Sequence, residues 1–219
     1  MRNAAINDNI PNSHTNYLSK MADELGFQPK VCYDIGACVM HWTKAAKTVW
    51  PQSEYVLFDA YEPAAFLWQE AGHKHFAGVL SDVDHGIVKF FQNHKSLGGN
   101  SYYKENNAHL YPDDAWVEKP TRTLDSVVQE LNLPLPDVVK IDVQGCEIDI
   151  LKGAQKTLAH AKYLIVELQE VDYNLGAPKV DFSIPFIEAM KSGKWLCIAK
   201  KFSDNGPDAD YCFKNLDRF

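Results

Sequence analysis

Apolar positions fall into short, nearly continuous runs separated by stretches with helical spacing. VCYDI (31–35), YVLF (55–58), HFAGVL (75–80), DVVKIDV (137–143) and YLIVEL (163–168) have the length and texture of strands buried on both faces. Between them, residues 40–49 bring Trp42, Ala45, Ala46 and Val49 into helical phase and stop at Pro51, while Pro63 opens a helix over AAFLWQEA. Further helices are predicted over Leu124–Leu131, about 146–158 and about 182–192. Upstream, YLSKMADEL (17–25) aligns Tyr17, Leu18, Met21 and Leu25 on one stripe and ends at Gly26, a C-cap residue. Strand and helix alternate at short spacing, which predicts parallel βαβ units with helices on both faces of a sheet. GIVKFFQN (86–93) reads as an added strand, and WLCIAKKF (195–202) with DYCFKN (210–215) as a terminal pair.

Residues 1–15 read as a polar, mobile lead-in and 94–120 as a long polar and aromatic loop, a length that usually signals function. With no repeat or linker, residues 1–219 are expected to form a single domain. A chain of 219 residues with 46% hydrophobic and 23% charged residues is long enough to fold on its own core. The net charge of −7 argues against a nucleic-acid partner. Five cysteines without a CxxC pair suggest neither a zinc knuckle nor a disulfide framework. The first sixteen residues lack the apolar core of a signal peptide, and no apolar run reaches the ~20 residues of a membrane span. A reduced, cytoplasmic setting is the expectation.

In an open parallel sheet, ligands bind beyond the carboxyl ends of the strands. The turn after the first strand has only Gly36 where a dinucleotide needs several glycines, and Asp34 would repel phosphate. A phosphate-free ligand with a ribose, an adenine and a cationic amino group fits better, and S-adenosylmethionine is such a ligand. Asp34, Gly36 and Ala37 would face its amino-acid end. Asp59 lies 23 residues beyond Gly36, near the ~20-residue offset of a ribose-binding acid. Asp82, with Ser81 beside it, would accept from the adenine amino group.

VCYDIGAC, VLFDAYEP, KIDVQGCEIDILKGA (140–154) and VELQEVDYNLGAP (166–178) together resemble the FkbM-type S-adenosylmethionine-dependent methyltransferases, over about residues 29–216. The resemblance implies a class I methyltransferase fold: an α/β, Rossmann-like three-layer sandwich whose mostly parallel sheet ends in an antiparallel C-terminal strand. It also implies O-methylation of a hydroxyl on a sugar, a glycan or a small hydroxylated metabolite. Cys38, Met40 and His41 stand where the family usually has small residues. Glu62-Pro63 matches the family's acid, yet Asp59 sits directly at the strand end, so Asp59 is favoured for the ribose and Glu62 comes second.

Lys140 and Glu167 interrupt two apolar strands, and burying either charge alone would be costly, so the two are expected to pair across adjacent strands. The pair is read either as a structural ion pair or as a pair that orients Asp142 or touches substrate. Asp142 and Glu147 flank Gly145 where the transferred methyl should lie, and a carboxylate there can take the acceptor's proton. Asp142 is preferred, with Glu147 as a helix cap. A divalent ion on Asp142, Glu147 and an acid of the fifth strand is compatible with the residue types, but no spacing requires it. In the long segment, Gly98-Gly99 suits a hinge, and Asn100, Ser101, Tyr102, Tyr103 and Asn107 suit sugar rings and hydroxyls. His109 is an alternative base. The segment is expected over the carboxyl ends of the first and fourth strands, although Tyr102, Tyr103, Tyr111 and Trp116 would serve equally well to pack it down. Glycosyltransferases, fused or separate, are compatible partners. Rival readings are an NAD-dependent sugar-modifying enzyme, which the missing GxGxxG disfavours, and a non-catalytic scaffold.

Overall fold

A computed structural model describes residues 12–200 and 206–219. Its main sheet contains β1 (Val31–Ile35), β2 (Glu54–Asp59), β3 (Lys74–Ala77), β7 (Val138–Ile141), β8 (Tyr163–Gln169), β9 (Trp195–Lys200) and β10 (Asp208–Asn215). The order is β3-β2-β1-β7-β8-β10-β9, with β3, β2, β1, β7 and β8 parallel and β10 antiparallel to both of its neighbours. The chain therefore reverses its direction of winding between β1 and β7, where such sheets open a crevice for ligands.

Alternation along the strands builds two apolar layers. Cys32, Leu57, Val138, Ile165 and Cys212 pack against α1 (Asn12–Leu25), α2 (His41–Val49) and α3 (Ala65–Glu70). The intervening residues Tyr33, Phe58, Val139, Val166 and Phe213 pack against α4 (Leu124–Glu130), α5 (Glu147–Lys152), α6 (Gln155–Leu158) and α7 (Val180–Glu188). Burial of this order on both faces is what the continuous apolar runs encode. The α1/α2 layer gives out toward the carboxyl ends of the strands, where Asp34, Lys140 and Glu167 continue the same alternation.

Four boundaries differ from the sequence-based expectation. HFAGVL is broken at Gly78, where an added Cβ would lie 2.7 Å from the Phe76 ring. Beyond that break β4 (Val79–Leu80) leaves the main sheet and joins β6 (Trp116–Arg122), which pairs in turn with β5 (Ile87–Phe91). The 94–120 segment is thus not all loop, because its last residues are strand β6. The helix expected over 146–158 divides at Gly153-Ala154, and a Cβ at Gly153 would lie 2.3 Å from the Ser81 carbonyl oxygen, so only glycine fits at the break. Asp125 then receives the new amino terminus of α6 through Lys156 N–H and Thr157 N–H, at 2.9 and 2.8 Å. Residues 12–15 of the expected lead-in belong to α1, while residues 1–11 lie outside the described residues.

Candidate active site

The turn after β1 sits close against the end of β7. Gly36 has φ +89°, and an added Cβ would lie 1.7 Å from the Asp142 carbonyl oxygen. Gly36 N–H and Ala37 N–H both donate to the Phe58 carbonyl, at 2.8 and 3.1 Å. Cys38 and Met40 also take positive φ, at 41° and 66°, a rare conformation for residues with side chains. Asp59 holds this turn: Cys38 N–H donates to its Oδ2 at 2.8 Å and Tyr61 N–H to its Oδ1 at 2.7 Å. Burial pushes the Asp59 carboxyl up, against those two amides and Lys119. Asp34 is buried at the end of β1, accepts from Thr43 Oγ1 at 2.5 Å, and is pushed up to about 6 by burial, partly offset by Thr43 and Lys140.

These groups open onto a cavity of about 430 Å³, within the ~300–1,000 Å³ range of small-molecule sites. Asp34, Asp59 and Asp142 contribute carboxylates to its wall, and Leu80, Phe90 and Ile150 contribute apolar surface. Among the described residues, Lys95 is the one lysine or arginine that lines it.

The turn after β7 carries the other half of the site. Asp142 accepts from Lys140 Nζ at 3.0 Å and from Gln144 Nε2 at 3.3 Å, and Gln144 also donates to Glu167 Oε2 at 2.7 Å. Burial alone would raise Asp142, but the Lys140 ammonium and hydrogen bonds from Glu167, Lys140 and Gln144 outweigh it and hold the carboxyl low. Glu167 goes the opposite way, well above its ordinary range, through burial and the neighbouring Asp142 charge. Lys140 is buried too, yet Asp142, Asp210 and Glu167 keep its ammonium charged.

The expected Lys140–Glu167 ion pair is not what the structure contains. Lys140 pairs with Asp142 and with Asp210 on β10, at 3.0 and 3.2 Å. Lys140 lies level with Ile165, and Glu167 and Asp210 lie level with each other two residues further toward the rim; the ammonium reaches along the rim to Asp142 and Asp210, while Gln144 Nε2 engages Glu167. Glu147 turns back on its own turn, accepting Val143 N–H and Gly145 N–H at 3.1 Å each, and burial pushes it up to about 7. With Glu147 on backbone and Asp142 on lysine, the three acids considered for a metal do not converge. Among the described residues no group of three or more His, Cys, Asp or Glu side chains is arranged to hold one.

Of the other expected residues, Gly36, Ala37, Asn100 and Tyr102 line the cavity. Ser101 lies behind the wall and donates to the Gln144 carbonyl at 2.7 Å. Tyr103 reaches Asp149 at 3.0 Å and Tyr102 reaches the same carboxylate at 3.3 Å, so these rings also pin the segment to α5. Glu62 lies off the wall, paired with Lys119 at 2.6 Å. Ser81 and Asp82 lie off it as well, with the Ser81 hydroxyl 3.3 Å from Asp82 and from Tyr102. His109 is exposed and outside the cavity. The 94–120 segment lies against the turn after β7, tied there by Ser101, and is also held from beyond β8 by Asn174 Nδ2, which donates to the Tyr103 carbonyl at 3.0 Å. Sequence reasoning missed Thr43, Gln144, Asp208 and Asp210. Only Gln144 carried a signal, since it stands inside the KIDVQG run.

Residues 34–192 match the model of the methyltransferase FkbM domain. The hexuronic acid methyltransferase AglP of Haloferax volcanii is 33% identical over 63 residues, which cover 29% of this chain and 26% of that protein. The AMB antimetabolite synthetase AmbE of Pseudomonas aeruginosa is 28% identical over 123 residues, 52% of this chain and 6% of that one. This chain therefore matches only a minor part of either relative. A crystal structure of methyltransferase FkbM from Methylobacillus flagellatus superposes with a TM-score of 0.53 at 11% identity, covering 90% of this chain and 47% of that one. The likeness in structure extends the class I methyltransferase architecture to the strand order described above. With the family model spanning both the Gly36 turn and the Asp142 turn, the chain belongs to the FkbM methyltransferase family.

Proposed function

We propose that the chain is an S-adenosylmethionine-dependent O-methyltransferase whose acceptor is a hydroxyl on a sugar, a glycan or a small hydroxylated metabolite. The observation that carries this is the cavity wall itself. Among the described residues, three carboxylates and one lysine line a space bordered by the Gly36 turn, where Gly36 itself has no room for a Cβ beside Asp142. Such a wall suits a ligand bearing a sulfonium and an ammonium and disfavours a pyrophosphate. The Gly36 turn and Asp34 would hold its amino-acid end and Asp59 its ribose, while Leu80, Phe90 and Ile150 offer apolar surface to the base. Glu62, engaged by Lys119, is the weaker ribose partner.

When bound, S-adenosylmethionine supplies an electrophilic methyl carbon. The protein's part is to align the acceptor oxygen, exclude water and take up the proton. Asp142 would accept the hydroxyl proton as the acceptor's oxygen takes up the methyl group. Lys140 keeps Asp142 ionised for that step, and Gln144 fixes its orientation. Asn100 and Tyr102, on the wall beside it, would seat the acceptor. AglP acts on a hexuronic acid, which supports a carbohydrate acceptor. A screen of sugars, nucleotide sugars and oligosaccharides with methyl-labelled S-adenosylmethionine tests the reading. Label should pass to a hydroxylated acceptor in the wild type, and Asp142→Asn should lower the turnover by about 10²–10⁴-fold, the usual worth of a general base. Transfer undiminished in that variant would remove Asp142 from the reaction.

A further inference from the structure

Around Lys140 one ammonium faces more carboxyls than it can neutralise. Its Nζ is buried, 3.0 Å from Asp142 and 3.2 Å from Asp210. Gln144 Nε2 donates to both Asp142, at 3.3 Å, and Glu167, at 2.7 Å, which brings the two carboxyls together on one amide. Two buried carboxyls drawn to one amide disfavour ionising together, so the pair favours holding one proton between them. Asp142 has a direct ion pair with the lysine, whereas Glu167 feels the lysine only through space and accepts from Gln144. The proton therefore belongs on Glu167. Asp208 adds a fourth acid nearby, pushed up to about 6 by burial and by Asp142 and Asp210.

We propose that Asp210 is a positioning residue for the proton acceptor: by sharing the Lys140 ammonium with Asp142, it sets the charge balance of a carboxyl pair, Asp142 and Glu167, that holds one proton. This rests on the reading of Asp142 as the group that receives the acceptor's proton. In the apo site the pair carries one negative charge, placed on Asp142, the member on the cavity wall. On transfer Asp142 gains the hydroxyl proton, and the pair then gives one up to solvent to reset. The groups that bear on Asp142 from β1, β2, the first turn and α5 are Asp34, Asp59, Cys38 and Glu147. Tyr17 and Cys212 bear on Asp210, and Tyr173 on Asp208. Among these groups Lys140 alone is cationic, so the pair's titration hangs on it and on the acid that competes for it.

The test needs neither cofactor nor acceptor, so its outcome is separate from that of the methyl-transfer assay. Protein labelled with ¹³C at the Asp and Glu carboxyl carbons is titrated by NMR as wild type, Asp210→Asn and Lys140→Met. In the wild type the Asp142 and Glu167 signals should move together through two steps. Asp210→Asn should lower both steps by half a pH unit or more, because a negative charge has left. Lys140→Met should raise them by one unit or more. Asp210 lies at the rim of the sheet, and its change to Asn keeps the side-chain shape, so that variant decides the matter even where Lys140→Met does not fold. Independent one-step titrations of the two carboxyls, or steps that Asp210→Asn leaves in place, would overturn the proposal. Shifts of the same sign in both variants would overturn it too.

Discussion

Replacing Gly36 with alanine probes the closest approach in the site. The new Cβ would lie 1.7 Å from the Asp142 carbonyl oxygen, where a carbon–oxygen contact needs about 3.3 Å, so turn and strand end must part by about 1.6 Å. That movement strains the Gly36 N–H bond to Phe58 and the Asp142 N–H bond to Ile35, at 2.8 and 2.9 Å. Losing both costs roughly 1–3 kcal/mol, and the positive φ adds about 1–3 kcal/mol for a residue with a Cβ. Gly26→Ala is the matched control, with φ +60° and nothing within 4 Å of its added Cβ. It should show the backbone cost alone. Urea unfolding of both variants, with calorimetric titration of S-adenosylhomocysteine, separates the terms. Gly36→Ala should lose more stability than the control and at least tenfold in affinity, whereas Gly26→Ala should bind like the parent. Equal stability losses and an unchanged affinity at Gly36 would refute the idea that this turn floors the cofactor site.

Glu147→Gln should stabilise the protein as the pH rises. The folded carboxyl is pushed up to about 7, so the folded state holds a proton that the unfolded state has lost, and stability falls between about pH 4.5 and 7. Glutamine cannot ionise and still presents Oε1 to Val143 and Gly145, so thermal unfolding should show a gain of about 1–3 kcal/mol at pH 8 and little at pH 4. Lys140→Met should cost ~3–5 kcal/mol by stranding buried carboxylates. A double-mutant cycle should find that Asp210→Leu recovers part of this and that Glu167→Met recovers less. Ser101→Ala, which removes the 2.7 Å bond to the Gln144 carbonyl, should slow methyl transfer at least tenfold while S-adenosylhomocysteine affinity stays within threefold.

Much of the architecture was legible because burial on both faces writes itself into the sequence as VCYDI, YVLF and YLIVEL. The strand-end acids Asp34, Asp59 and Asp142 were legible for the same reason, since polar residues that close an apolar run fall at the rim of the sheet. Pairing across strands was not. The Lys140–Glu167 expectation failed because Asp142 and Asp210 take the lysine and Gln144 takes Glu167, a choice of partners that hydrophobic pattern does not reveal when both strands are apolar throughout. Asp210 entered the site from the far end of the chain, through an antiparallel insertion whose position no local signal marks. The close approach of Gly153 to the Ser81 carbonyl, which leaves no room for a Cβ, exists only once the fold is assembled. Asp82 and Glu62 closed their runs as plausibly as Asp59 did. The bend at Gly78 and the capture of Glu62 by Lys119 of β6 decided which acid reached the wall.

The most direct test of the account is calorimetric titration of the wild-type protein and Asp59→Ala with S-adenosylhomocysteine and, separately, with NAD. The wild type should bind S-adenosylhomocysteine at one site and NAD not measurably. Asp59→Ala should weaken that binding by ~1.5–3 kcal/mol, the scale of hydrogen bonds to a charged group, while remaining folded by circular dichroism. Absence of S-adenosylhomocysteine binding by the wild type, or binding of NAD in its place, would contradict the account.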